Sequence, residues 1–261
     1  MFADTHCHLD FERFSGCIEA IQNQMDLSQL VMVVVPSVCA SRWEKVISLC
    51  GKDGRFCYGL GLHPYFIENH GFSDVSILEQ KITNLIGVGN SGLVAIGEIG
   101  LDATRPNVDK QILLLEMQLK LAEKYKLPVI LHVRKLHSQL VAILKKYSLV
   151  GGVIHAFSGS YELMMSYIGL GFKIGVGPVI TWRSSTKTQS AIKKAPLESL
   201  VLETDAPDMF VEGDDKAKAS PLDVIKVFDV LSALRAESRV DLQKQILINS
   251  TELFNKSLPS S

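Results

Sequence analysis

Apolar positions in this chain fall into short continuous runs separated by stretches with helical periodicity, and the two alternate from end to end. Residues 30–38 (LVMVVVPSV) are a β-branched run of the kind found in strands buried on both faces. Similar runs at 56–62, 93–97, 128–131, 150–154, 172–179 and 199–202 are expected as strands, with another at the start of the chain over 4–10. Between them, residues 19–30, 43–50, 75–86, 108–125, 138–147, 161–168 and 188–194 are expected as helices, and helices over 221–235 and 240–254 close the chain. The clearest is 108–125, where Ile112, Leu115, Leu119 and Ala122 recur at helical spacing. A Gly/Asn/Ser-rich turn follows the helix expected over 75–86.

Eight strands alternating with helices, with no Pro/Ser-rich linker, predict a parallel sheet, and the count of eight favours a closed (β/α)8 TIM barrel over a doubly wound open sheet. The barrel takes residues 1–261 as a single domain. There is no dinucleotide-binding glycine fingerprint after the first strand, no P-loop and no short repeat.

Composition narrows the function classes. A formal charge of −1 argues against a broad basic face that coats duplex DNA, although a narrow active site needs no such face. The five cysteines (Cys7, Cys17, Cys39, Cys50, Cys57) are odd in number and lack a C-x-x-C pair, so reduced thiols in a cytoplasmic protein are expected. No apolar run reaches membrane-spanning length, and a histidine motif starting almost at Met1 leaves no room for a signal peptide. The expected location is the cytoplasm, with no membrane association and no obligate protein partner.

The chemistry gathers at strand ends. His6 and His8 alternate along the first strand, so both rings share one face at the spacing for two imidazoles on one metal. His63 ends the third strand, Glu98 the fourth, His132 the fifth, His155 the sixth and Asp205 the eighth. In a (β/α)8 barrel those ends form the functional face. Five of the seven histidines lie there, with His70 in a loop and His137 at a helix start, a distribution unlike that of satisfied core histidines. Six ligating groups exceed what one tetrahedral site requires, so two divalent ions fit better, with Glu98 as the natural bridge. Strand eight closing on strand one brings Asp205 beside His6 and His8, as ligand and as general base toward a bound water.

These residues carry a resemblance. His6-Cys7-His8, Gly61-Leu62-His63-Pro64, Gly97-Glu98-Ile99-Gly100-Leu101-Asp102, Leu131-His132-x-Arg134, His155-Ala156-Phe157-Ser158-Gly159 and Glu203-Thr204-Asp205-Ala206-Pro207 are similar to the successive motifs of the TatD family of metal-dependent hydrolases and deoxyribonucleases, and most similar to its YjjV branch. The resemblance implies a binuclear site in a barrel of the amidohydrolase superfamily. His6, His8, Glu98 and Asp205 would hold one ion, and Glu98, His132 and His155 the other. His63 resembles the family histidine near the scissile phosphate. The implied activity is phosphodiester hydrolysis, including 3′-to-5′ removal of nucleotides from single-stranded DNA, with strand ends or small phosphodiesters as substrates. The metals are Zn²⁺, Mn²⁺, Mg²⁺ or Fe²⁺, between which geometry and supply select.

Two departures bear on substrate. Residues 208–216 carry four carboxylates where many family members have an Arg/Lys-bearing segment, and the loop after Asp102 reads Ala103-Thr104-Arg105-Pro106 without the aromatic residue often found there. Glu203 shares a face with Asp205 one layer deeper, which suits a hydrogen bond to a ligand histidine. Arg134 lies on the His132 face, placed either for a substrate phosphate or for a loop carboxylate. Cys7 is expected to face the helices as a small apolar group. Asp102 and Ser158 either touch substrate or hold their turns, and Lys145-Lys146 and Lys193-Lys194 are expected as solvated helix faces.

Three function classes follow. The first is a phosphodiesterase. The second is a metal-dependent esterase or amidase of the same superfamily, disfavoured because the fourth-strand position that often holds a carboxylated Lys is Glu98 here. The third is a non-enzymatic binding protein on an enzyme-like barrel.

Overall fold

The structure, a computed structural model, describes residues 1–89 and 91–256; Asn90, in the glycine-rich turn expected from sequence, lies outside the described residues. In chain order the elements are β1 (Phe2–Asp4), α1 (Ile18–Ser28), β2 (Leu30–Pro36), α2 (Trp43–Cys50), β3 (Phe56–Leu60), α3 (Ser73–Val88), β4 (Leu93–Asp102) and α4 (Val108–Tyr125). They continue with β5 (Val129–Arg134), α5 (His137–Leu144), β6 (Gly152–Ile154), α6 (Tyr161–Ile168), β7 (Phe172–Val176), α7 (Thr186–Lys194), β8 (Leu200–Leu202), α8 (Val224–Leu234) and α9 (Arg239–Leu253). The alternation expected from the sequence is therefore present, with strands in chain order in the sheet.

The chain divides into two compact units, residues 1–35 with 155–261, and residues 36–154. In the first unit β1 pairs in parallel with β2, and β7 with β8. Beyond their ends β1 and β8 also run side by side. Thr5 N–H donates to Leu202 O (2.9 Å), Asp205 N–H donates to His6 O (2.7 Å), and a parallel bridge joins Cys7 to Ala206. First and last strands as neighbours are what a closed (β/α)8 barrel requires and what the open doubly wound sheet lacks. In the second unit β3, β4, β5 and β6 pair consecutively, all in parallel, and most of their β-branched and leucine side chains are buried, Leu93 and Val133 only in part.

Most boundaries shift by a few residues, β4 running on to Asp102 and α5 ending at Leu144, and three differences have a visible cause or consequence. β1 stops at Asp4, so His6 and His8 sit on an extension held by single bonds rather than on a regular strand. The strand expected over 172–179 ends at Val176 because Pro178 has no N–H to give and opens a short 3-10 turn, Pro178–Thr181. The helix expected from 221 begins as a 3-10 turn, Pro221–Asp223, closed by a Ser220/Asp223 capping box before α8.

The buried face of α4 is also rotated from the expected stripe. Ile112 is only half-buried, while Gln111 and Gln118 are buried with Leu115, Leu119 and Ala122. The glutamines serve the strand ends. Leu62 N–H donates to Gln118 Oε1 (2.8 Å), and Asp102 N–H donates to Gln111 Oε1 (2.8 Å) while Gln111 Nε2 returns a bond to Asp102 O (3.0 Å). Gln118 satisfies backbone beyond the end of β3, immediately before His63, and Gln111 does so at Asp102, the last residue of β4.

Replacing Gln118 by Leu strands the buried Leu62 N–H, and a loss of about 1–3 kcal/mol in urea-denaturation stability is expected.

Candidate metal centre

In the first unit the chain brings five ligating side chains together. His6 and His8 face the same way, with Nε2 atoms 3.3 Å apart. Asp205 Oδ1 lies 3.4 Å from His6 Nε2 and 3.5 Å from His8 Nε2. The His155 ring stacks on that of His6, with centroids 4.0 Å apart. Glu203 Oε1 lies 3.8 Å from His155 Nδ1 and accepts the Ala156 N–H. All five side chains are buried.

Local backbone makes this convergence. Asp205 and Ala156 both adopt left-handed conformations, with φ of 53° and 45°. Non-glycine residues rarely occupy that region, and they do so where surrounding contacts enforce it. At Asp205 the enforcement is visible: its N–H is held by His6 O, and its carbonyl accepts Asp208 N–H (2.8 Å) and Met209 N–H (3.0 Å). The buried carboxylate of Asp4 sets the register. It accepts His6 N–H (3.1 Å), Thr204 N–H (3.0 Å) and the Thr204 hydroxyl (2.6 Å), tying the residues that precede His8 and Asp205 to one group.

Charge follows position. Burial pushes the Asp4 carboxyl well above the usual range, against the pull of its Thr204 and backbone hydrogen bonds. Burial acts the same way on Asp205, but the His8 hydrogen bond and the nearby charges of His155, His6 and His8 outweigh it and hold that carboxyl below its ordinary value. Glu203 has room only because its neighbours are small. A Cβ at Gly175 would lie 2.3 Å from Glu203 Oε2.

The second unit builds a smaller cluster. His63 caps the short 3-10 helix Pro64–Asn69, its Nδ1 accepting Tyr65 N–H (2.9 Å). With Nδ1 occupied as an acceptor, the neutral ring carries its proton on Nε2 and donates to Glu98 Oε1 (2.8 Å). His132 Nδ1 lies 3.3 Å from the same oxygen, while its Nε2 lies 3.3 Å from Asp102 Oδ2. Burial raises the Asp102 carboxyl, yet hydrogen bonds from His132 and Thr104 win and leave it well below the usual range. β4 and β5 approach closely here because Gly100, at φ 150°, has no side chain; a Cβ there would meet His132 O at 1.9 Å.

The remaining sequence candidates divide. Arg134 ends β5 with an exposed side chain. Cys7 is buried with Sγ 3.5 Å from Ala206 O, outside both clusters. Ser158 Oγ lies 3.4 Å from Thr188 Oγ1 and so holds its turn. The acidic stretch after Asp205 is tied down: Glu212 accepts Arg183 N–H (3.1 Å), Asp214 pairs with Lys226 (2.6 Å), and Asp215 accepts Ala217 N–H (2.9 Å). Asp4, Gln111 and Gln118 escaped the sequence reading as contributors. The available signal was polar residues in otherwise apolar stripes.

Both clusters suit a divalent cation. His6, His8 and Asp205, then His6, His155 and Glu203, then His63, Glu98 and His132 each place ligand atoms within 4.8 Å of one another. Imidazole with carboxylate is the donor set of borderline and hard divalent ions. Asp102 holding the far nitrogen of His132 is the usual outer support of a ligating histidine.

Among known proteins, the family model described as TatD related DNase matches residues 3–255. The chain is 41% identical over 257 residues to YjjV of Escherichia coli (strain K12), named an uncharacterized metal-dependent hydrolase, covering 97% of this chain and 98% of that one. The crystal structure of that TatD homolog matches with a TM-score of 0.93 at 39% identity, over 98% of each chain. A TatD of Erwinia amylovora, named a 3′-5′ ssDNA/RNA exonuclease, is 28% identical over 222 residues, covering 81% of this chain and 83% of that one.

Gly175→Ala forces Glu203 off Ala156 N–H while leaving the strands paired. Loss of most hydrolytic activity with unchanged far-UV circular dichroism is the expected outcome.

Proposed function

The chain belongs to the TatD-related DNase family, and from that membership we propose that this metal-dependent hydrolase is a phosphodiesterase that removes nucleotides from the 3′ end of single-stranded nucleic acid. The observation that carries the reading is the buried His6–His8–Asp205 cluster, an ionised carboxylate shared by two imidazoles. The Erwinia relative, by its name, supplies the substrate class.

Two divalent ions are the proposed cofactor, and when bound they supply Lewis acidity that offsets phosphoryl charge and lowers the pKa of coordinated water. His6, His8, His155 and Asp205 of the first unit, and Glu98 and His132 of the second, are the proposed ligands. Asp205, kept ionised, takes the proton from the attacking water. Asp102 holds Nε2 of His132, which leaves Nδ1 as the ligating atom beside Glu98. His63 carries its proton on Nε2, where it donates to Glu98, and is the proposed group that turns this donor to a phosphate or leaving oxygen. Arg134, exposed at the end of β5, meets substrate phosphate. Glu203 keeps His155 and the 155–156 turn in place from beneath.

Purified protein incubated with 3′-labelled single-stranded DNA is expected to release the label with Mg²⁺ or Mn²⁺ and not with chelator. Asp205→Asn is expected to lower the rate by about a hundredfold or more, while metal analysis still finds bound ion. Wild-type turnover in that variant at full metal loading would show that Asp205 is not the base.

A further inference from the structure

The loop from His63 to His70 is fastened from several sides. His70 Nε2–H donates to His63 O (3.0 Å), Lys110 Nζ donates to Ile67 O (2.9 Å), and Arg105 Nε–H donates to Tyr65 O (3.1 Å). The Arg105 guanidinium also lies 3.9 Å from the centre of the Tyr65 ring. Fastening the loop does not require that ring, since the bonds go to carbonyls. Yet Tyr65 holds it half in water, 50% exposed, in one fixed attitude with a cation on one face. Arg105 has no carboxylate ion-pair partner among the described residues, so an unneutralised positive charge stands against the ring.

Position gives the pair its meaning. Tyr65 N–H contacts Nδ1 of His63, and Nε2 of the same imidazole donates to Glu98. The ring therefore belongs to a residue held directly by the proposed phosphate-binding histidine. The loop after Asp102 offers no aromatic of its own, Ala103 and Thr104 being exposed and small, so the flat surface there comes from the β3 loop and the charge from Arg105. A planar, cation-backed ring on the residue whose backbone is held by the proposed phosphate-binding histidine matches one ligand chemistry, a nucleobase joined to an anionic backbone. A small aliphatic ester would use neither the face nor the charge.

We propose that Tyr65, backed by Arg105, is the stacking platform for the base of the nucleotide adjoining the phosphodiester being cut, which makes an unpaired base a specificity requirement. The assignment rests on the phosphodiesterase reading. A base held in a duplex cannot lie on the ring, so paired ends are poor substrates, whereas every unpaired base has a face to offer.

The test compares an oligothymidylate with an abasic oligonucleotide of the same length. Binding is followed by fluorescence anisotropy with Mg²⁺ in an Asp205→Asn background, and kcat/KM is measured in otherwise wild-type protein. With Tyr65 present, preference for the base-bearing strand is expected at about tenfold or more. Tyr65→Ala is expected to collapse that preference and Tyr65→Phe to keep it, a ratio that a general loss of folded protein does not move. Equal binding of both strands with Tyr65 present, or an undiminished preference in Tyr65→Ala, overturns the platform. Cleavage of both strands at equal rate leaves the phosphodiesterase reading standing and removes the platform. Preferential binding that Tyr65→Ala abolishes, with no cleavage of either strand, supports the platform and removes the reaction.

Discussion

One buried carboxylate sets the geometry of the first unit. Asp4 ends β1 and accepts hydrogen bonds from the backbone of His6 and from both donors of Thr204. A carboxylate out of water is costly unless its lone pairs are filled, and here three donors fill them. The chain thereby gains a fixed offset between the segment after β1 and the segment after β8. His6 and His8 follow on one side of that clamp and Asp205 on the other, so the spacing of their ligating atoms is decided by the clamp rather than by their own side chains. A regular strand pair is absent at this point, which is why a side chain has to do what ladder bonds do elsewhere.

The second unit solves the same problem with a helix. β3 and β4 leave backbone groups without ladder partners at Leu62 and Asp102, and α4 brings up Gln118 and Gln111 to meet them. The two glutamines are seven residues apart, two helical turns, so one face reaches both strand ends. His63 and Asp102 then orient their neighbours through rings and carboxylates: His63 by accepting from Tyr65, Asp102 by facing the outer nitrogen of His132. In both units the candidate ligands are held by polar side chains buried behind them.

That division explains what the sequence could tell. Histidines and carboxylates at the ends of apolar runs were legible because their types are costly to bury without purpose and because strand ends have a known role in this fold class. The helices 108–125 and 161–168 were read to the residue, the first because a long periodic segment marks its own limits. The extent of β1 was not, because alternation looks the same whether neighbouring strands supply ladder bonds or single contacts. Nor was the work of Asp4 or Gln118, whose partners lie 200 and 56 residues away in the chain. The pairing of Glu203 with two glycines on β7 and just beyond it was equally hidden, since nothing in the sequence ties Gly175 or Gly177 to an acid 28 and 26 residues later.

That pairing constrains how the acid and its glycines can vary. The carboxylate of Glu203 occupies space that a side chain at position 175 would otherwise fill, with Gly177 also near its stem. The two positions therefore share a single allotment of space, and a side chain at 175 displaces the carboxylate of Glu203. Shortening the acid by Glu203→Asp withdraws the carboxylate by one methylene and makes room for the methyl group that Gly175→Ala introduces. The double exchange then costs less than the sum of its parts, a non-additivity that a double-mutant stability cycle reads directly.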